Sequence, residues 1–169
     1  MSVNSSIPIP TIPVITTIPK NPKIIKYKSF NINNISIDDS IKYDGNSEFY
    51  IQTPIIINYN KLKYSDTKYL ELFLEKKLNS HNLFLTMIDS LEIKFKNDIN
   101  KNIKTQIIHD SSNSNSKICL KVKFTDETKI FDSNYNIITE LSKNNITLLL
   151  KICFYRTHYS WNIIQVLQS

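Results

Sequence analysis

Residues 117–124 read KICLKVKF and hold the cleanest alternation in the chain. Successive side chains of a β-strand point to opposite faces, so period-two alternation predicts a half-buried strand. Three lysines would then share one face, with Lys121 and Lys123 about 6.6 Å apart along it. The other face would be apolar, made by Ile118, Leu120, Val122 and Phe124.

The same pattern extends over most of the chain. The segment 67–76, TKYLELFLEK, alternates leucine with larger or charged residues, and 146–155, ITLLLKICFY, is apolar on both faces, as in a central strand. WNIIQVL (161–167) closes the sheet, and KYKSFNINNISI (26–37) and EFYIQTPIIINY (48–59) are rich in strand-forming residues. We therefore predict seven or eight short strands.

One segment changes period. In SHNLFLTMIDSLEIKFKN (80–97) the apolar residues recur at helical spacing, and Ser80 could cap the first turn. The fold class predicted is mainly β with one helix, as a β-sandwich or a partly closed barrel.

Proline marks a boundary near the amino terminus. Residues 1–25 contain five of the six prolines, which exclude a helix or a central strand and predict an extended arm. The arm is either a disordered leader or a segment that packs on its own domain or on a neighbour. Residues 26–169 are predicted to form a single β-rich domain.

The composition excludes several classes of protein. A single glycine, Gly45, is too few for a phosphate-binding loop or a dinucleotide fingerprint. Two cysteines and three histidines stand in no catalytic or metal-ligating motif, so we predict no enzyme activity, cofactor or metal. No apolar run is long enough to span a membrane, the first residues do not form a signal peptide, and the cysteine usage favours a reducing, intracellular compartment.

The net charge of +6 permits an anionic partner such as nucleic acid. Of the 21 basic residues only Arg156 is arginine, and an AT-rich genome would enrich lysine without selection for binding. The charge therefore allows nucleic-acid binding without requiring it.

The stretch KICFYRTHYSWNIIQV (151–166) adds aromatic residues to that charge. Single-strand binding combines a basic groove with aromatic rings on which bases stack. Two alternatives stay open: a lysine face that only keeps the sheet soluble, and core packing of Trp161 beside Ile163. The predicted phosphate contacts are Lys117, Lys121, Lys123, Lys151 and Arg156, and the predicted stacking residues are Tyr155, Tyr159 and Trp161.

The order of these segments resembles a known family. KICLKVKF, then IFD with NYNII, then NNITLLLKI, an aromatic turn and WNIIQV resemble the OB-fold single-stranded-DNA-binding proteins of large DNA viruses and phages. The resemblance covers residues 116–167, with weaker agreement at FYIQTP (49–54). It implies an OB-like barrel, a single-stranded nucleic-acid partner and a viral source, in the host cytoplasm or a viral factory.

A second function from another class stays open. The Ile-Pro arm suits a structural virion protein, a minor capsid or cement subunit, that uses residues 1–25 to bind neighbouring subunits or copies of itself. The two functions differ in where the lysines of 117–123 and the aromatics of 155–161 lie. A shared concave face favours nucleic acid, and opposite faces favour the structural protein.

Overall fold

The computed structural model describes residues 22–110, 117–142, 144–155 and 158–169, and the side chains at 110 and 117 are outside the description. Over these residues the fold is mainly β with one α-helix, as predicted. The helix α1 spans Asn79–Asp98. The strands are β1 (Lys23–Lys26), β2 (Ile35–Ile37), β3 (Ile41–Tyr43), β4 (Phe49–Gln52), β5 (Tyr59–Tyr64), β6 (Thr67–Leu74), β7 (Ile107–Asp110), β8 (Lys117–Phe131), β9 (Ile137–Ile138), β10 (Ile146–Tyr155) and β11 (His158–Gln168).

Nine of these strands form one mixed sheet that is not closed. Its order is β1-β4-β10-β11-β8-β6-β5, with β7 and β9 paired to β8 outside this path, while β2 and β3 form a separate hairpin. Two pairings are parallel, β1 with β4 and β11 with β8. β10 lies between β4 and β11, which confirms the central position predicted from its two apolar faces.

The segment 53–58 curls this sheet. It links β4 to β5 and contains Pro54, which ends the strand run predicted over 48–59. Ile56 pairs with Ile146 of β10 through two hydrogen bonds of 2.8 and 3.0 Å, and the carbonyl of Asn58 accepts one from the N–H of Phe73 in β6 at 3.0 Å. The segment thus connects β10 to β6, which β11 and β8 separate in the sheet.

The core lies between the concave face of the curled sheet and α1. The helix turns Phe84, Ile88, Leu91 and Phe95 inward at spacings of three or four residues, and all four are fully buried. They pack in one cluster with the inward residues of β4, β6, β8, β10 and β11. Burial of each such side chain contributes about 1.5–3 kcal/mol, so this packing stabilises the helix.

The start of α1 is held by a histidine rather than by the predicted cap. Leu78 precedes the helix and makes no side-chain cap, so the prediction that Ser80 caps it is wrong. The buried His81 ring accepts the Glu75 backbone N–H at Nδ1 (3.1 Å), and Nε2 bonds to the Ile55 carbonyl (2.9 Å). These bonds tie the first turn to the residue that follows β6 and to the segment 53–58.

The strand predicted over 26–37 is mostly wrong. Two 3₁₀ helices occupy Tyr27–Ser29 and Ile32–Asn34, and only the last residues form β2. The side chain of Asn31 accepts the N–H of Asn33, and the hydroxyl of Tyr43 accepts the N–H of Asn31, both at 3.0 Å. The bond between Asn31 and Asn33 is local, and local side-chain bonds of this kind compete with the hydrogen bonds of a strand.

Of the predicted arm, residues 1–21 lie outside the described residues. Lys23–Lys26 pairs with β4 and so belongs to the sheet of the domain. Binding of neighbouring subunits through residues 1–25 stays a prediction.

Candidate nucleic-acid interface

The strand registers define an outer face of the sheet, turned away from α1. Val122 of β8 and Trp161 of β11 lie side by side and are fully buried, so their neighbours along each strand point the other way. These neighbours are Lys123 and Asn162, which are paired with each other. The outer face therefore carries Lys121 and Lys123, two of the three lysines predicted from the alternation in 117–124.

A row of four side chains crosses this face. Lys151 of β10 pairs with Asn162, Asn162 with Lys123, and Lys123 with Tyr69 of β6. We call these four residues the cross-strand row. Neighbouring strands lie about 4.8 Å apart, so two ammonium groups, an amide and a phenol follow one another across four strands.

The charges of the row are partly balanced. The ammonium group of Lys151 lies 3.2 Å from the carboxylate of Glu48, and this ion pair is partly exposed. Among the described residues, neither Lys121 nor Lys123 forms an ion pair. An anion can therefore reach these two ammonium groups without displacing an ion-paired carboxylate, as it would have to at Lys151.

Two further tyrosines, Tyr64 and Tyr155, lie on the outer face with Tyr69 of the row. The ring of Tyr64 at the end of β5 is 54% exposed and has the ammonium of Lys121 4.9 Å from its centroid. It meets the ring of Tyr69 edge-on at 5.8 Å. Tyr155, 45% exposed, stacks on His158 at 5.0 Å where the β10–β11 hairpin ends.

Sequence reasoning missed Tyr64 and Tyr69 as candidate residues. Period two in 67–76 already places Tyr69 opposite the leucines, hence on an outer face. The role of Tyr64 depends on the register of β5 against β6, which the sequence does not contain.

Two predicted stacking residues point the other way. Tyr159 and Trp161 are both 0% exposed and lie on the inner face with Ile163, so the predicted exposure of Tyr159 is wrong. The Tyr159 ring packs against Phe95 at 5.3 Å, and its hydroxyl donates a hydrogen bond to Glu92. A fully buried ring offers no face to a base, so neither residue is a stacking candidate.

Two predicted phosphate contacts cannot be placed. Arg156 and the side chain of Lys117 lie outside the described residues. Their predicted roles stay predictions.

Cys153 of β10 lies on the outer face near the end of the β10–β11 hairpin and is partly buried. Cys153 pairs with Ser160, two residues along each strand from the Lys151–Asn162 pair of the cross-strand row. Burial raises the pKa of this thiol, and the charges of Lys151 and Lys123 act in the opposite direction. The thiol is therefore held in its protonated form, which is a weak nucleophile.

The described residues contain neither a metal-binding cluster nor a membrane-spanning helix. No group of three or more His, Cys, Asp or Glu side chains there could hold a metal ion. No helix in the described part of the chain has the length and apolar character that crossing a membrane requires.

Comparison with known proteins identifies similar folds only among solved structures. No family model matches the chain, and no curated protein matches it. The single-stranded DNA-binding protein from bacteriophage Enc34 in complex with ssDNA is similar with a TM-score of 0.50 and 10% identity, covering 79% of this chain and 92% of that chain. A second structure of the same phage protein gives 0.50 and 11%, covering 79% and 86%. At these identities the likeness concerns the fold, and it agrees with the OB-like architecture implied by the sequence resemblance.

Proposed function

We propose that this chain binds single-stranded DNA on its outer face and catalyses no reaction. The observation that carries the proposal is the cross-strand row, which puts Lys123 and Lys151 on the same face as Tyr64, Tyr69 and Tyr155. Its OB-like fold, shared with a phage protein described as binding single-stranded DNA, supports the proposal. The net charge of +6 is compatible with it.

The lysines contact the phosphates of the DNA strand, and the aromatic rings contact its bases. Ammonium groups of Lys121 and Lys123 contact phosphates, and they do so without first breaking an ion pair. Lys151 must exchange Glu48 for a phosphate, so its contribution is smaller. The exposed rings of Tyr64 and Tyr155 stack on bases, which an unpaired strand presents and a duplex conceals.

Fluorescence anisotropy of labelled oligothymidylate over a salt series tests the proposal. Each phosphate neutralised on a single strand contributes about 0.7 to the log–log salt slope. The double variant Lys121→Ala/Lys123→Ala should lower the slope by about 1.4 and weaken binding, with duplex DNA a poor competitor for the wild type.

A matched control uses Lys101→Ala/Lys104→Ala, which removes the same charge from exposed positions after α1, away from the outer face. This variant should keep most of the affinity. Failure of the wild type to bind at low salt would overturn the proposal. Equal losses in the two double variants would show that only net charge matters.

A further inference from the structure

A cleft opens where the β5–β6 hairpin separates from β8. The ladder between β6 and β8 ends at Tyr69 and Lys123, while the hairpin continues to Tyr64 and Thr67. Beyond Lys123 the register of β8 against β11 shifts, which leaves Thr125–Thr128 bulged. The cleft between them has a volume of about 830 Å³, within the range of small-molecule sites.

The hairpin side of the cleft carries two lysines that form no ion pair among the described residues. Lys63 and Lys68 lie directly opposite each other across the hairpin, and both line the cleft. Like charges in that arrangement destabilise a strand pair. In the described part of the chain neither forms an ion pair, so an anion between them would relieve their repulsion.

The rest of the cleft has a different character. Apolar surface comes from Phe124, Ile130 and Leu141, and the carboxylates of Asp126 and Glu140 come from β8 and from the residues after β9. Asp66 lines the cleft from the tip of the hairpin. An anion bound at Lys63 and Lys68 therefore has apolar surface next to it. The carboxylates of Asp126 and Glu140 on the other side of the cleft disfavour the binding of a second anion.

The cleft is continuous with the cross-strand row. Tyr69 and Lys123 are the last two members of the row, and both also line the cleft. A single strand of DNA bound along the row from β10 to β6 would therefore reach the cleft at its β6 end.

We propose that the cleft holds one unstacked nucleotide of the bound single strand. Its phosphate lies between Lys63 and Lys68, and its base lies on the apolar surface of Phe124, Ile130 and Leu141. This proposal rests on the proposed function and adds a terminal nucleotide site to it. It makes Lys63 and Lys68, on the opposite face of the hairpin from Tyr64, part of the interface.

Oligothymidylates from the tetramer to the dodecamer, within the range of site sizes of OB folds, test this. Wild-type affinity should rise by a step at the length that reaches the cleft. In Lys63→Ala/Lys68→Ala the step should vanish, leaving the longest oligonucleotide about tenfold weaker, as expected for loss of one charge-assisted contact. The salt slope for that oligonucleotide should fall by about 0.7, because one phosphate contact is lost, while short oligonucleotides bind as in the wild type.

Two comparison variants separate the outcomes. Lys121→Ala/Lys123→Ala should lose affinity at every length, and Lys101→Ala/Lys104→Ala should keep the step. If the wild type binds but Lys63→Ala/Lys68→Ala retains the step and the slope, the terminal nucleotide site is refuted and the outer-face interface stands. If the wild type binds no oligonucleotide, both proposals fail.

Discussion

The hydroxyl of Tyr159 in β11 donates a hydrogen bond to the carboxylate of Glu92 in α1, and both side chains are buried. The same carboxylate oxygen accepts the backbone N–H of Gln106 at 2.9 Å. A buried carboxylate is costly unless it is hydrogen-bonded, so these two donors offset its loss of water. The bond fixes α1 to the inner face, opposite the proposed interface.

Tyr159→Phe should therefore destabilise the fold and leave DNA binding unchanged. The change keeps the ring in the core and removes one of the two donors to Glu92, at a cost of about 1–3 kcal/mol. Urea denaturation measures the loss, and oligonucleotide anisotropy below the unfolding transition provides the second reading. Unchanged stability would contradict the buried bond, and a selective loss of DNA binding would contradict the inner position of Tyr159.

Alkaline pH should destabilise the protein through its buried phenols. Burial, with the charge and hydrogen bond of Glu48, raises the pKa of Tyr50 to about 12 from 10.0. Burial and the hydrogen bond to Glu92 also raise the pKa of Tyr159. Above pH 10 an unfolded phenol loses its proton while the folded one retains it, so the stabilising contribution is full below 10 and declines as the pH rises.

This decline can be measured by urea denaturation at steps from neutral pH to about 11. Above pH 10 the free energy of unfolding should fall less steeply with pH in Tyr159→Phe than in the wild type, by up to about 1.4 kcal/mol per pH unit. Wild type and variant with parallel profiles over that range would contradict the assignment to Tyr159.

Trp161 provides an optical test because it is the only tryptophan in the chain. Fully buried on the inner face, it should emit at short wavelength, resist quenching by acrylamide and keep its intensity when oligonucleotide saturates the protein. Strong quenching by DNA would mean that the indole stacks on a base, as the sequence alone had allowed.

The exposed rings of the outer face should contribute to binding individually. Base stacking on an aromatic ring contributes about 1–3 kcal/mol, so Tyr64→Ala and Tyr155→Ala should each weaken oligonucleotide binding about 5- to 150-fold. Tyr135→Asn is the matched control, since it removes an exposed ring from the turn after β8. Asn also tolerates the positive φ of 63° at that position. Equal affinities in all three variants would show that Tyr64 and Tyr155 do not stack on bases.

Cys153 should report where the strand lies. Cys119 is buried, so iodoacetamide should label Cys153 first, and slowly because the raised pKa keeps the thiol protonated. A bound oligonucleotide that crosses the row should slow this labelling several-fold, whereas Cys153→Ser should take up little label. Labelling at the same rate with and without DNA would place the strand elsewhere.

Much of the fold follows from side-chain periodicity. Period two marks β6 and the first half of β8, and helical spacing marks α1 almost to its ends. The strand predicted over 26–37 was mostly wrong, because Asn side chains there form local hydrogen bonds that take the place of strand pairing. The order of the strands, with β11 parallel to β8, depends on contacts between distant residues and leaves no pattern in either strand.

The candidate site was partly predictable for the same reason. Alternation in 117–124 places Lys121 and Lys123 outward, as observed. Alternation also puts Tyr159 on the face of Trp161 and Ile163, so its burial was readable from the sequence. The cleft could not be predicted, because it forms where the β6–β8 ladder ends while the β5–β6 ladder continues, and strand register is not visible in the sequence. The intracellular location and the virion alternative stay predictions.

Strand β11 is the last strand of the sheet in sequence, yet it lies in the middle, between β8 and β10. During synthesis, every other strand leaves the ribosome before the one that joins them. Until residues 158–168 emerge, β8 and β10 each present an open edge to other chains, and open edges invite aggregation. The nascent protein is therefore prone to aggregation until β11 pairs with β8 and β10 in the middle of the sheet.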